Sequence, residues 1–288
     1  MVDRSPTKRG VPSTKKMPAH ASLLVRPLPP GEGRGEGCVT EHQSPQDYIF
    51  SRTLIRMKRA LFVVLAVAAL CGTFLYSKSP THQLFGVIVP RVETRQKIVA
   101  LTFDDGPTTY AVDEILRDLG AVKATFFLMG AEMHTNPSIA PRLIATGHQI
   151  GNHTWHHDRM VFKSPSYIAS EIESTDALIR AAGWRGPILF RAPYGKKLVG
   201  LPWYLWRHNR THITWDVEPK RNPRIDQHTD RIVADVLAHT RPGSIILLHP
   251  WYHGREATRA AIAPIIAGLR ARGYELVTVN ELRRRSGA

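Results

Sequence analysis

The chain has 288 residues, enough for one large domain or two small ones. With 39 Lys and Arg against 24 Asp and Glu, its net charge of +15 suits an anionic partner such as a cell wall, a polyanionic glycan or a nucleic acid, or simply a solvated surface. The two cysteines, Cys38 and Cys71, both lie outside the part expected to be globular, which excludes a disulfide framework and thiol catalysis there.

The first segment, residues 1–56, is predicted not to fold. It is rich in Pro and Gly between positions 27 and 37 and buries too little apolar surface to offset chain entropy. Met57 then opens Met-Lys-Arg and an apolar run, which is how an export signal begins. The upstream segment is therefore either an extension in front of a true start at Met57 or a disordered cytoplasmic tail.

The apolar run of residues 57–77 is predicted to be a signal or membrane anchor. Its core, from Ala60 to Tyr76, has 17 residues. At about 1.5 Å of helical rise per residue it spans roughly 25 Å, near the lower limit for a membrane helix. Four cations precede the run and only Lys78 follows closely, so the domain is expected outside the cytoplasm, on the periplasmic or exterior face. A poorly formed cleavage site favours an anchored domain over an exported one.

Beyond a linker at 78–96, the domain at 97–288 is predicted to alternate strands with helices. Strands are expected at 98–103, 124–128, 148–152, 188–191, 212–215, 244–248 and 275–279. Helices are expected at 111–119, 139–146, 167–182, 230–239 and 256–272, with Ser166 capping the third of these. Such alternation implies βα units and a parallel sheet or barrel.

Five polar clusters follow predicted strands, where α/β barrel enzymes place their active sites. The first contains Asp104 and Asp105, whose adjacent carboxylates repel each other unless a cation or a shared proton intervenes. One of them can bind a metal while the other acts as a base. The plain alternative is a charged surface turn.

The second cluster contains His153, His156 and His157. His153 and His157 are four residues apart, so on a helical turn they share a face and can hold one divalent ion, with His156 pointing elsewhere. Two histidines and one aspartate form a three-ligand site with open positions, as in hydrolytic metal centres.

The other three clusters add polar groups at further strand ends. Arg191, followed by Ala-Pro-Tyr-Gly, is placed to orient a carboxylate through a bidentate contact, and the rigid backbone that follows can aim an amide N–H into the site. The fourth cluster contains Asp216 and Glu218, and the fifth ends in His249-Pro250.

In this order the five clusters resemble the NodB-homology polysaccharide deacetylases, carbohydrate esterase family 4. The resemblance covers about residues 97–282 and depends mainly on Thr-Phe-Asp-Asp-Gly-Pro at 102–107 and His-Thr-x-x-His at 153–157. It implies an α/β fold, a distorted (β/α) barrel of about seven parallel strands, here preceded by the membrane-spanning helix. It also implies a metal-dependent hydrolase that removes N-acetyl groups from amino sugars of a polysaccharide and releases acetate.

Residue by residue, the resemblance implies a division of roles. Asp104 is the general base and His249 the general acid; Arg191 tethers the base and the Tyr194 backbone amide helps to stabilise the oxyanion; Asp105, His153 and His157 bind the metal. Zn²⁺ is the first choice by ligand type, and Co²⁺, Ni²⁺ or Mn²⁺ fit the same ligands.

The chain departs from the family pattern at two places. Arg221-Asn222 stands where the family often has Asp-Trp, so Asp216 is expected to orient His249, with Glu218 as the second choice. Pro250 follows His249 where the family often has Asp, a change expected to affect the acetyl pocket or the loop beyond it.

The residues also bear on three other functions. A glycoside hydrolase needs two carboxylates about 5–10 Å apart, which adjacent aspartates do not supply. A nucleic-acid binder conflicts with the export signal and lacks a recognition motif. A membrane-anchored, non-catalytic glycan-binding module on the same fold remains as the alternative.

The polymer itself stays open among peptidoglycan, chitin-like oligomers and poly-N-acetylglucosamine. Trp203, Trp206, Trp251 and Tyr252 are candidates either for stacking on sugar rings or for the core.

Overall fold

The computed structural model describes residues 45–219 and 227–287. Residues 1–44 of the tail predicted at 1–56, and the departure at Arg221-Asn222, lie outside this range. Contacts divide the chain at Arg56, and the architecture below concerns the unit that begins at Met57.

Helices and strands alternate through this unit, as predicted. The described helices are α1 (Pro45–Lys78), α2 (Val112–Leu119), α3 (Gly130–Thr135), α4 (Ile139–Ala145), α5 (Pro165–Ala181), α6 (Gly200–Arg207), α7 (Thr229–His239), α8 (Glu256–Ala260), α9 (Ile262–Ala271) and α10 (Val279–Ser286). The described strands are β1 (Ile88–Val89), β2 (Ile98–Asp104), β3 (Thr125–Leu128), β4 (Gln149–Asn152), β5 (His212–Ile213), β6 (Ile245–Leu248) and β7 (Glu275–Val277).

The strands form two parallel sheets. Five strands lie in the order β4-β3-β2-β6, with β7 also paired to β2, and β1 pairs with β5. Isolated bridges join Phe190 to Asn152 and to His212, and Val217 to Ile246. The predicted parallel α/β architecture is therefore present, but a closed barrel of seven regular strands is not shown.

Strand β2 lies in the middle of the larger sheet and is mostly apolar. Every residue from Ile98 to Asp104 is buried, the pattern of a parallel strand covered on both faces. Phe103 stacks on Phe126 of β3 with ring centroids 5.0 Å apart. The buried faces of α2 and α9 belong to the same apolar cluster.

Helix α1 contains the predicted apolar run and begins earlier than expected, at Pro45. Within the described residues its portion Arg52–Lys78 is the one helical segment long and apolar enough to cross a membrane, judged by length and composition. Cys71 lies exposed on it.

The segment after α1, predicted as a linker, is packed onto the domain. Ser77 is buried and its carbonyl accepts a hydrogen bond from the Lys197 amide at 3.0 Å. The Thr214 hydroxyl donates to the Pro80 carbonyl at 2.6 Å. Strand β1 then adds to β5, so the chain between α1 and β2 has little freedom of its own.

Candidate active site

The parallel orientation of the strands brings the polar clusters to one edge of the sheet. Asp104 ends β2, His153 follows β4 and His249 follows β6. They border a cavity of about 410 Å³. Its lining residues are Asp104, Asp105, His153, His157, Tyr194, Trp215, Glu218, His249, Tyr252 and Arg255.

Asp104 is held by a buried arginine. Arg191 is fully buried, and its NH1 donates to Asp104 Oδ1 at 2.6 Å and to the Thr102 hydroxyl at 2.8 Å. Its NH2 and Nε donate to the carbonyls of Thr214 and Ile213. The expected bidentate contact is therefore wrong: one nitrogen serves the carboxylate and the others fix the guanidinium to the backbone, which leaves Asp104 Oδ2 facing the histidines.

Asp105 turns away from Asp104 because its backbone is left-handed, with φ 72°. Its Oδ1 lies 3.1 Å from His157 Nε2 and 3.6 Å from His153 Nε2, and it is buried without a hydrogen-bond partner. Burial raises the pKa of Asp105, but the adjoining His153 and His157 imidazoles outweigh burial, so its pKa lies well below the ordinary carboxyl value. A buried, ionised carboxylate oxygen without a hydrogen-bond partner is suited to bind a cation.

The two histidines present one nitrogen each to this oxygen. His153 Nδ1 lies 2.8 Å from the Arg191 carbonyl, which fixes the ring and leaves Nε2 for the site. The expected helical turn between them is wrong: Thr154 and His157 have φ of 67° and 62°, in the left-handed region. This loop, not a helix face, brings the two rings to a centroid separation of 4.9 Å.

Glu171, which sequence reasoning missed, holds the histidine loop from beneath. It is 3 % exposed on α5, and its Oε2 accepts the amides of Trp155 and His156 at 3.0 and 2.8 Å. Its Oε1 lies 2.5 Å from His156 Nδ1, so His156 points away from the ligand pair. The sequence did offer one signal for this residue: Glu171 is an acidic residue on the apolar face of an amphipathic helix, beside Ile168 and Ile172.

These residues fit a divalent metal. Ligand atoms of Asp105, His153 and His157 all lie within 4.8 Å of one another. One carboxylate oxygen and two imidazole nitrogens form a common donor set for such ions, and a cation would satisfy the unpartnered Asp105 Oδ1.

Comparison with known proteins decides the family. Residues 91–210 match the polysaccharide deacetylase family. A peptidoglycan-N-acetylglucosamine deacetylase of Bacillus cereus is 34 % identical over 214 residues, which cover 69 % of this chain and 94 % of the relative.

The chain belongs to the polysaccharide deacetylase family. A chitooligosaccharide deacetylase of Azorhizobium caulinodans is also 34 % identical, over 65 % of this chain and 94 % of the relative. A crystal structure of a peptidoglycan N-acetylglucosamine deacetylase in complex with 4-naphthalen-1-yl-N-oxidanyl-benzamide superposes with a TM-score of 0.62 at 30 % identity, over 67 % of this chain and 90 % of that one. The resemblance stated from the sequence is confirmed. Members of this family are generally metal-dependent, in keeping with the site above.

The deacetylase does not bring Asp216 to His249. Asp216 Oδ1 accepts the Ile245 amide at 2.9 Å and its Oδ2 accepts the Ser244 hydroxyl at 3.0 Å, both at the start of β6. His249 follows the other end of that strand. Glu218, the second choice, lines the cavity together with His249.

The aromatic candidates separate into different places. Trp251 is fully buried in the core and packs over Gly106, where an added Cβ would lie 2.5 Å from the indole ring. Tyr252 and Tyr194 line the cavity, and the Tyr194 ring lies 4.6 Å from that of His157.

Proposed function

We propose that this deacetylase hydrolyses the N-acetyl groups of amino sugars in a cell-envelope polysaccharide, using a metal held by Asp105, His153 and His157. One observation carries the proposal: Asp104, locked by buried Arg191, stands beside this three-ligand cluster in an open cavity. Relatives named as peptidoglycan and chitooligosaccharide deacetylases support the substrate class.

When bound, the metal lowers the pKa of water and polarises the acetamide carbonyl. Asp104 then removes a proton from the attacking water. Arg191 keeps Asp104 aimed at the cavity and compensates its charge in a buried place, where an unpaired carboxylate is costly. Zn²⁺ is the proposed ion, and Co²⁺, Ni²⁺ and Mn²⁺ are the alternatives that suit these ligands.

The remaining groups act on the oxygen and the nitrogen of the acetamide. The Tyr194 N–H donates to the oxygen as negative charge develops on it. His249, in its cationic form, gives a proton to the leaving amine. Glu218 is the carboxylate we assign to orient His249, because both line the same cavity.

We further propose that α1 anchors the enzyme in the membrane, with the catalytic domain on the outer side. The support is the length and apolar composition of Arg52–Lys78 and the excess of cations before the run. A catalytic domain outside the cytoplasm can reach a cell-wall polymer.

Acetate release tests the proposal. The full chain in detergent, stripped of metal and reloaded with Zn²⁺, is incubated with peptidoglycan fragments, chitooligosaccharides and poly-N-acetylglucosamine. We expect release from at least one glycan, abolished by a chelator and restored by Zn²⁺. His153→Ala should lose metal and activity together, whereas His156→Ala, three positions along the same loop, should keep both.

Two outcomes contradict the proposal. Glycan binding without acetate release from any of the three polymers would identify a non-catalytic module. Acetate release that is indifferent to chelation would remove the metal from the mechanism.

A further inference from the structure

An exposed aromatic patch lies on the domain, and its residues do not line the cavity of the residues assigned to catalysis. It consists of Leu84, Phe85, Val87, Trp203 and Trp206, and we call it the aromatic patch. The Phe85 ring lies 5.3 Å from Trp203 and 6.0 Å from Trp206, and the two indoles lie 5.2 Å apart. About half of each indole-bearing residue is exposed (47 %), so this cluster is not a core. Contiguous apolar surface of this kind marks an interaction site.

Helix α6, which carries part of the patch, has aromatic residues on the face where a surface helix usually has charged ones. Helix α6 buries Leu201 and Leu205 against the domain, as expected. Its opposite face, which normally bears charged residues, presents Trp203 and Trp206 instead. The surrounding medium at this face is therefore expected to be partly apolar.

The patch cannot move far from the end of the apolar helix α1. Only five residues lie between Lys78, the last of α1, and Leu84. The amide of Lys197 donates to the Ser77 carbonyl at 3.0 Å, and its Nζ donates to the Ser79 carbonyl. Lys197 is fully buried while it does so. This clasp fixes the helix end to the chain segment that leads into α6.

Cations gather at the same helix end. Lys196 has a lowered pKa because of its desolvation and of the neighbouring charges of Lys78 and Arg159. The ammonium groups of Lys78 and Lys196 lie 4.0 and 4.7 Å from the centroid of the Phe74 ring. Cations and aromatic rings at one helix end are typical of a segment in the headgroup region of a bilayer. Anionic headgroups there attract the cations, and aromatic rings favour the interface.

We propose that the aromatic patch and these cations lie in the headgroup region of the membrane that α1 crosses, so that the catalytic domain is held against the bilayer. The proposal rests on the anchoring part of the proposed function, not on the deacetylase reaction. A glycan stacked on the indoles is the competing occupant. Continuity with the end of α1 favours the lipid, because the patch begins within about 20 Å of chain from that end.

The test uses the full chain reconstituted in phosphatidylcholine and phosphatidylglycerol vesicles, with and without lipids brominated near the headgroup. Bromine quenches tryptophan fluorescence at short range. We expect clear quenching in the parent chain and loss of most of it in the double variant Trp203→Phe with Trp206→Phe. Trp184→Phe, at a partly buried position three residues beyond α5, is the matched control and should leave the quenched fraction unchanged.

Activity on a soluble oligosaccharide should be equal in all three proteins, which shows that the domain is folded. Quenching that survives the double replacement would overturn the proposal, as would quenching of Trp203 and Trp206 by added glycan but not by brominated lipid. Alkaline extraction of the same vesicles measures the anchor separately. Extraction of the chain would refute both the anchor and the patch, while acetate release would still report on the enzyme.

Discussion

Glu171 offers a direct test of how the ligand loop is built. Its carboxylate accepts two backbone amides and faces one imidazole nitrogen, at 3.0, 2.8 and 2.5 Å, yet touches neither metal ligand. Glu171→Gln keeps the shape but removes the charge that strengthens these contacts. A hydrogen bond to a charged group contributes about 1.5–3 kcal/mol, so loss of the charge should cost about the worth of one such bond.

This loss should appear mainly as weaker metal binding, because the loop that Glu171 supports carries His153 and His157. Residues that support metal ligands from behind typically change affinity by about 10–100-fold. The assay is titration of the metal-free chain with Zn²⁺ in competition with a chromogenic chelator, together with thermal unfolding. The matched control is Glu173→Gln, two positions along α5, whose exposed carboxylate accepts the Tyr204 hydroxyl.

The two variants should separate clearly. Glu171→Gln should bind Zn²⁺ at least tenfold more weakly, and Glu173→Gln should match the parent within about twofold. If Glu171→Gln lowered the unfolding temperature but bound Zn²⁺ like the parent, the loop would be positioned by something other than this carboxylate, and the reasoning would fail.

Three further predictions follow from the same edge of the sheet. Asp104→Asn should keep the metal and lose about 10²–10⁴ in rate, whereas Asp105→Asn should lose the metal and recover partly with excess Zn²⁺; a reversed pattern of rescue would exchange their roles. Arg191→Lys should lower both kcat and the free energy of unfolding, measured by assay and urea titration, because one ammonium cannot replace four hydrogen bonds from a buried guanidinium. Gly106→Ala should cost about 2–5 kcal/mol in urea titration, from left-handed backbone and the Trp251 contact, whereas Gly254→Ala, with φ 79° and open space, should lose only the backbone part.

The sequence predicted that the polar clusters meet at one edge of the sheet, because parallel strands impose it. Once β2, β4 and β6 are identified as buried strands, their polar termini have to meet, and the histidines and aspartates do so. Strand β1 was missed because two residues, Ile88 and Val89, have no pattern of their own and form a strand only by pairing with β5. Local propensity carries little information about such tertiary pairing.

Local backbone geometry accounts for the other differences. A four-residue spacing suggested a helical turn for His153 and His157, but left-handed residues occur singly and leave no period in the sequence. At α5 the cap is Ser164, not Ser166, because Pro165 fits the first helical position and the Ser164 hydroxyl accepts the Tyr167 amide. Nothing in the sequence separated Asp216 from Glu218, but Val217 pairs with Ile246 in parallel, which places Asp216 at the start of β6, away from His249.

The clasp at the end of α1 also bears on when the domain can be released. A protease needs an extended, accessible stretch of chain, but Ser77 is only 5 % exposed, and the carbonyls of Ser77, Ser79 and Pro80 accept hydrogen bonds from the domain. That stretch is available before β1 pairs with β5, and afterwards only through local opening. If α1 is the anchor proposed above, cleavage behind the helix would compete with folding, and the faster of the two events would decide whether the domain stays attached to α1.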